Sequence, residues 1–201
     1  MSNLTEQYIS AELLAKAAEK DLRIEIECDE HASSPRSINY QELSSVFVTG
    51  GRSYLGDERM TERFNNIDDA VACWAKNRGI QKNDMLWWPV YKYEHGSVDL
   101  SLTPYSCAFD SGIVGFIYES KAALRKEFGV KRIGNKFIAK IEKRIKGELL
   151  ELTSYANGEV YEVLIYDADD DVINSCGGVY GKNESHFESL ADELLNEYQC
   201  A

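Results

Sequence analysis

The spacing of apolar and polar positions changes period several times along this chain, and each change marks an element. Arg23-Ile-Glu-Ile-Glu-Cys28 alternates strictly, with Ile24, Ile26 and Cys28 on one side, which predicts a half-buried strand. Before it, Ser10-Ala-Glu-Leu-Leu-Ala-Lys-Ala-Ala-Glu-Lys-Asp21 reads as a short helix capped by Ser10. Residues 32–37 read as loop, and Val46–Thr49 as a short strand closed by Gly50-Gly51. A helix starts at Asp68-Asp69, runs to Arg78 and stops at Gly79. Met85–Tyr93 reads as a strand, and Pro89, which cannot donate a ladder bond, calls for an edge or a bulge there. Glu94–Ser97 is a turn, and Val98, Leu100 and Leu102 form the return strand of a hairpin. Ile113–Tyr118 is apolar on both faces, which predicts a central strand.

In the second half the period lengthens. Ser120 caps a helix that ends at Gly129. Phe137, Ile141, Ile145, Leu149 and Leu152 recur every three to four residues, predicting a long helix from about Asn135 to Asn157-Gly158. Val160–Tyr166 and Val172–Tyr180 read as strands joined by the turn Asp167–Asp171. Ser185-x-x-Glu188 has the form of a capping box. The last helix buries Phe187, Leu190, Ala191, Leu194, Leu195 and Tyr198. Hairpins with helices between them predict an α+β fold with a mainly antiparallel sheet. Residues 1–22 are expected as an N-terminal helical extension and 23–201 as a single α+β domain.

Composition narrows the setting. No apolar run reaches transmembrane length, and the N-terminus lacks the basic start and apolar stretch of a signal peptide, so a cytoplasmic protein is expected. Five widely spaced cysteines include no C-x-x-C pair, and three scattered histidines offer no metal spacing. No cofactor is expected. The net charge of −12 is unevenly spread. From Ser120 to Gly147 ten Lys and Arg face two Glu, a net +8. From Glu148 to Ala201 one Lys faces thirteen acids, a net −12.

Several stretches carry candidate chemistry. Cys107, His95 and Asp110 supply the residue types of a nucleophile, a base and an orienting group. Against this, the loop enters a strand rather than a helix N-terminus, and Asp110 is anionic; the alternative is a small thiol beside an Asp-Ser-Gly turn. Asp167, Asp169, Asp170 and Asp171 fail as a calcium loop, since positions six and twelve hold Val172 and Gly178. Neither Gly-Gly pair has nucleotide-binding spacing. The basic segment from Lys121 to Lys146 reads as a solvated helix face, with direct nucleic-acid binding not expected because the rest of the chain repels phosphate. The acidic residues Glu184, Glu188, Asp192, Glu193 and Glu197 fall on the polar side of the last helix. With the Asp167–Asp171 turn they could imitate a phosphate track and enter the basic groove of a nucleic-acid enzyme.

Some of the same stretches resemble a family of small bacteriophage and mobile-element proteins. The residues that carry it are Ser34-Pro-Arg36, Tyr54-Leu-Gly-Asp-Glu58, Pro89-Val-Tyr91, His95-Gly96, Thr103-Pro-Tyr-Ser-Cys107, Asp110-Ser-Gly-Ile-Val-Gly-Phe-Ile-Tyr118, Lys146-Gly-Glu148, Gly158-Glu-Val-Tyr161 and Asn174-Ser-Cys-Gly-Gly178. Phe109 and Gly177 stand where members of that family often have tryptophan. The resemblance implies a genomic setting rather than an activity. It points to an accessory protein that binds a host macromolecule, including an inhibitor of host defence or of a nucleic-acid-handling enzyme. A cysteine-dependent hydrolase or transferase is the alternative expectation, and a small-ligand site around Tyr91, Tyr93, Tyr105 and Tyr118 a third.

Overall fold

The computed structural model describes residues 4–38, 45–50, 53, 55–60 and 66–197. Gly51, Tyr54, Tyr198 and Cys200, which entered the reading above, lie outside them. The fold is α+β, and its strands pair antiparallel except for one short parallel pair. Contacts group the chain into two compact units, residues 1–33 with 158–201, and residues 34–157.

The first unit joins the two ends of the chain. Its sheet has the order β1 (Arg23–Cys28), β7 (Val160–Tyr166) and β8 (Val172–Tyr180), all antiparallel. Helices α1 (Leu4–Tyr8), α2 (Ala11–Ala18) and α7 (Glu184–Glu197) pack against it. The alternation of β1 holds at Ile24 and Ile26, which enter a core with Ile9, Leu13, Val163, Ile165, Phe187 and Leu195, while Cys28, expected on the same side, is exposed at the strand's end. The N-terminal helices therefore form part of this core. Thr5 Oγ1 accepts the Ile26 N–H at 3.0 Å, which satisfies a donor on the edge strand. Gly177 and Gly178 serve the backbone: Gly178 has φ +71° and donates to Asp29 Oδ2, and a Cβ on Gly177 would stand 2.9 Å from that oxygen.

The second unit is a three-layer arrangement. Its sheet has the order β3 (Glu58–Arg59), β2 (Val46–Thr49), β6 (Ser111–Ser120), β4 (Met85–Glu94), β5 (Val98–Ser101). α5 (Lys121–Phe128) and α6 (Asn135–Ala156) cover one face, where Ile117 and Val90 meet Leu124, Ile141, Ile145 and Leu149. α4 (Ile67–Asn77) covers the other, where Phe116 meets Val71 and Trp74. β6 is the central strand, as its two-sided apolar pattern predicts. Gly115 is required at its middle, since a Cβ there would lie 2.0 Å from the Val48 carbonyl oxygen. Pro89 sits on the half of β4 that β5 does not reach, next to a register shift at Val90/Tyr91.

The free edge of β5 is closed by helix side chains. Asn157 accepts from the Val98 N–H and donates to the Val98 carbonyl, both at 2.8 Å, and Thr153 Oγ1 accepts from Leu100 N. Asn157 thus stands in for a neighbouring strand and blunts an edge that could pair with another chain.

Two local expectations are corrected. Residues 35–37, read as part of a loop, belong to the short helix α3 (Pro35–Ile38). The Ser185–Glu188 capping box does not form. Asn183 accepts from the His186 N–H, and Glu188 turns instead to Ser10, accepting from its backbone N–H at 2.8 Å and from its hydroxyl. Ser10 at the N-cap of α2 offers Glu188 two donors, where a box would offer one.

Candidate functional site

The loop between β5 and β6 brings Cys107, His95 and Asp110 together, with the carboxylate in the middle. Cys107 Sγ donates to Asp110 Oδ2 at 3.3 Å, and His95 Nδ1 lies 3.4 Å from the same oxygen. Gly96, with φ +76°, turns the hairpin that carries His95, and Asp110 O accepts from Glu94 N at 2.8 Å. A nucleophile passes its proton to a base, with the acid behind the base. Here the thiol spends its hydrogen on the acid. The His95 side chain is 73% exposed, so no dry pocket surrounds it. Tyr93 and Tyr105 pack ring to ring at 5.6 Å beside this loop, and burial, then the Asp99 carboxylate, raises the Tyr105 phenol above its ordinary range. Tyr118 instead packs on Trp74 under α4, so the four tyrosines do not line one pocket. Phe109 at the loop tip is fully exposed. Cys176 belongs to the other unit.

The acidic residues divide by what they already hold. Asp167 Oδ1 accepts from the N–H groups of Asp169 and Asp171 and so builds the β7–β8 turn. Asp170, at φ +63°, pairs with Arg23 at 2.8 Å. Glu188 is taken by Ser10, and Asp192 pairs with Lys16, whose hydrogen bond holds that carboxyl below the usual range. Glu197 accepts weakly from Asn174 Nδ2 at 3.4 Å. Asp169, Asp171, Glu184 and Glu193 have no side-chain partner among the described residues. Asn174 Nδ2 also donates to the Leu194 carbonyl, which ties the start of β8 to the last turns of α7. The Asp167–Asp171 turn and Glu193–Glu197 therefore share one end of the unit. Ser189, Asp192, Glu193, Asn196 and Glu197 line a shallow concavity along α7.

Sorting the charge by unit sharpens its distribution. The first unit carries nineteen Asp and Glu against four Lys and Arg, a net −15, and the second fifteen against eighteen, a net +3. The sheet of the first unit adds to the field. Burial, then Asp29 and Glu27, raises the Glu162 carboxyl on β7.

A buried ionic network in the second unit escaped the sequence reading. Arg36 on α3 is 5% exposed; it donates to Asp57 at 2.8 Å from Nε and 2.5 Å from Nη2, to Glu148 at 3.1 Å, and to the Ser45 carbonyl at 3.0 Å. Asp57 Oδ2 accepts the Phe47 N–H at 2.7 Å, at the start of β2. Burial works against the Arg36 charge, but Asp57 and then Glu148 outweigh it and raise its pKa. Nearby, Arg144 on α6 reaches Glu119 at 2.5 Å and Glu127 at 2.9 Å, and Glu119 is fully buried. One signal was available. Alternation along β6 puts Glu119 on the face of Ile117, a carboxylate aimed at a core. Arg36 and Asp57 lie in stretches with no period at all. This network joins Ser34-Pro-Arg36, the 54–58 stretch and Lys146-Gly-Glu148, three separated parts of the resemblance noted above.

Among the described residues no cluster of three or more His, Cys, Asp or Glu could hold a metal ion, and no helix is long and apolar enough to cross a membrane. No protein-family model, no curated protein and no solved structure matches the chain.

Proposed function

We infer that the chain acts by binding, and that its acidic unit is the docking surface for a basic host protein, of the kind that handles nucleic acid. The observation that carries this reading is the concentration of a net −15 in one 77-residue folded unit, where Asp169, Asp171 and Glu193, without side-chain partners among the described residues, share one end. Such a field steers a basic groove into contact and excludes the phosphates that groove would otherwise hold. In a phage or mobile-element setting, which the motif resemblance suggests, the outcome is inhibition of a host defence or nucleic-acid enzyme.

The test keeps the fold and removes the surface. Glu188, Asp192, Asp167 and Asp170 already have partners within the unit, so they are poor probes. Asp169→Asn, Asp171→Asn, Glu184→Gln and Glu193→Gln together remove four charges that have no side-chain partner among the described residues. Tagged protein is used to capture partners from nuclease-treated host lysate. A basic partner captured by the parent chain, lost with the fourfold variant and displaced by DNA supports the reading. A partner retained by the variant contradicts it.

A second reading rests on the meeting of Cys107, His95 and Asp110 around one carboxylate oxygen. For thiol chemistry His95 would have to displace Asp110 at the sulfur. Alkylation of Cys107 by iodoacetamide that slows on His95→Ala supports this, and a rate unchanged by that substitution removes it.

A further inference from the structure

The basic segment of the second unit separates into cations with a structural task and cations without one. Of its ten Lys and Arg, Lys121 donates to the Asn83 carbonyl, Lys140 lies over the Phe128 ring at 4.7 Å, Arg144 holds Glu119 and Glu127, and Lys146 pairs with Glu142. The other six, Arg125, Lys126, Lys131, Arg132, Lys136 and Lys143, are exposed and unpaired among the described residues. The two acids of the segment, Glu127 and Glu142, are both engaged by Arg144 and Lys146, so neither neutralises the six.

The six lie on α5, its connection to α6 and the first turns of α6. Phe128 at the end of α5 packs edge-on against Phe137 near the start of α6, with centroids 5.2 Å apart. Gly129 closes α5 at φ +64° and turns the chain into the connection that carries Lys131 and Arg132. Lys136, Lys140 and Lys143 follow at i, i+4 and i+7, one stripe on the solvent side of α6. Ala139 and Gly147 flank that stripe, and a Cβ on Gly147 would meet nothing within 4 Å, so the helix face is open to close approach. The first turn of α6 has no side-chain cap and no acid, which leaves its positive end uncompensated.

We propose that the α5–α6 corner binds the phosphate backbone of duplex DNA. Six unpaired cations on two helices and their connection complement a line of phosphates. The two aromatics at the corner are half-buried against each other and leave no ring for stacking on unpaired bases, which favours a duplex over a single strand. A B-form major groove is about 12 Å wide and admits a helix, whereas the A-form major groove of RNA is too narrow. The overall charge of −12 is not the charge of the unit that carries the corner, which is a net +3. The expectation from sequence that the acidic remainder would repel phosphate treats as one field a charge that the fold divides between two units. The proposal is independent of the acidic docking surface and uses different residues.

The test is fluorescence anisotropy of a short labelled DNA duplex titrated with the full chain across a range of salt. Binding at low salt is expected, with a log–log salt slope of about −5 if all six cations meet phosphate. Lys143→Ala should lower the slope by about one. Arg132→Glu with Lys136→Glu and Lys143→Glu should abolish binding with the helical circular dichroism retained. The fourfold neutral variant of the acidic unit should bind the duplex at least as well as the parent. No binding at low salt, a slope untouched by the charge reversals, or equal binding of duplex RNA overturns the proposal. So does salt-sensitive self-association that competes with the duplex, which would assign the corner to the acidic unit of a second copy.

Discussion

The two units use ionised side chains in opposite ways. In the second unit the most buried ions serve the fold: Arg36, Asp57 and Glu148 are at most 10% exposed, and Glu119 is fully buried. Each meets an opposite charge, and Arg36 and Asp57 also meet backbone groups, as burial of charge requires. In the first unit the pairs are superficial. Lys16 and Asp192 are 40% and 47% exposed, and pairs of that kind contribute little to stability. A chain that keeps nineteen carboxylates on one small unit for so little structural return has them available for something outside it. Burial, more than the number of charges, separates the ions that hold a fold from those that project a field.

That contrast can be broken first at Arg36. Arg36→Ala leaves Asp57 and Glu148 buried without their shared cation and should cost about 3–5 kcal/mol. All three tryptophans, Trp74, Trp87 and Trp88, lie in the second unit, so urea unfolding followed by tryptophan fluorescence reads that unit alone. A shift of less than 1 kcal/mol would show that the network is not structural. A smaller loss, about 1–2 kcal/mol by the same signal, is expected for Asn157→Ala, which strips the Val98 N–H and carbonyl of their partner. It should also raise the tendency to associate through the bared edge of β5.

In the first unit the effects shrink. Ser10→Ala removes the cap of α2 and the hydroxyl donor to Glu188 while keeping the backbone donor, for about 1 kcal/mol, read as faster amide exchange in α2. The smallest effects depend on pH and have opposite signs. Lys16 lowers the Asp192 carboxyl in the folded chain, so its contribution is present above about pH 4 and is lost as the pH falls through the lower folded value. Lys16→Met should erase that dependence. Glu162 is raised by burial, Asp29 and Glu27, so its ionisation costs stability at neutral pH. Glu162→Gln should therefore stabilise slightly at pH 7, with the gain gone below about pH 4. A gain that persists in acid would mean that the neighbouring carboxylates are not its cause.

Local pattern made much of the fold legible. The strict alternation of Arg23–Cys28 gave β1 its bounds, the two-sided apolar run of Ile113–Tyr118 marked the central strand, and the stripe from Phe137 to Leu152 marked α6. Pro89 was correctly confined to a position where its missing N–H is not needed. What stayed hidden depends on partners distant in sequence. Glu188 has a good local partner in Ser185, yet it is won by Ser10, 178 positions away. Arg36, Asp57 and Glu148 form no pattern until β2 and α6 bring them together. The candidate site was half legible for the same reason. The loop does join Cys107, Asp110 and His95, but only its folded path decides that the carboxylate, not the imidazole, meets the sulfur. Charge counted along the chain also misled, because the acidic ends fold into one unit and the basic middle into another.

The most direct test of the division of labour between the two units sets stability beside capture for one protein, the fourfold variant Asp169→Asn, Asp171→Asn, Glu184→Gln and Glu193→Gln. If the acidic unit is a docking surface, its fold should be as stable as the parent's by amide hydrogen exchange, or slightly more so, while capture of the basic host partner falls away. Capture undiminished in a folded variant would contradict the account.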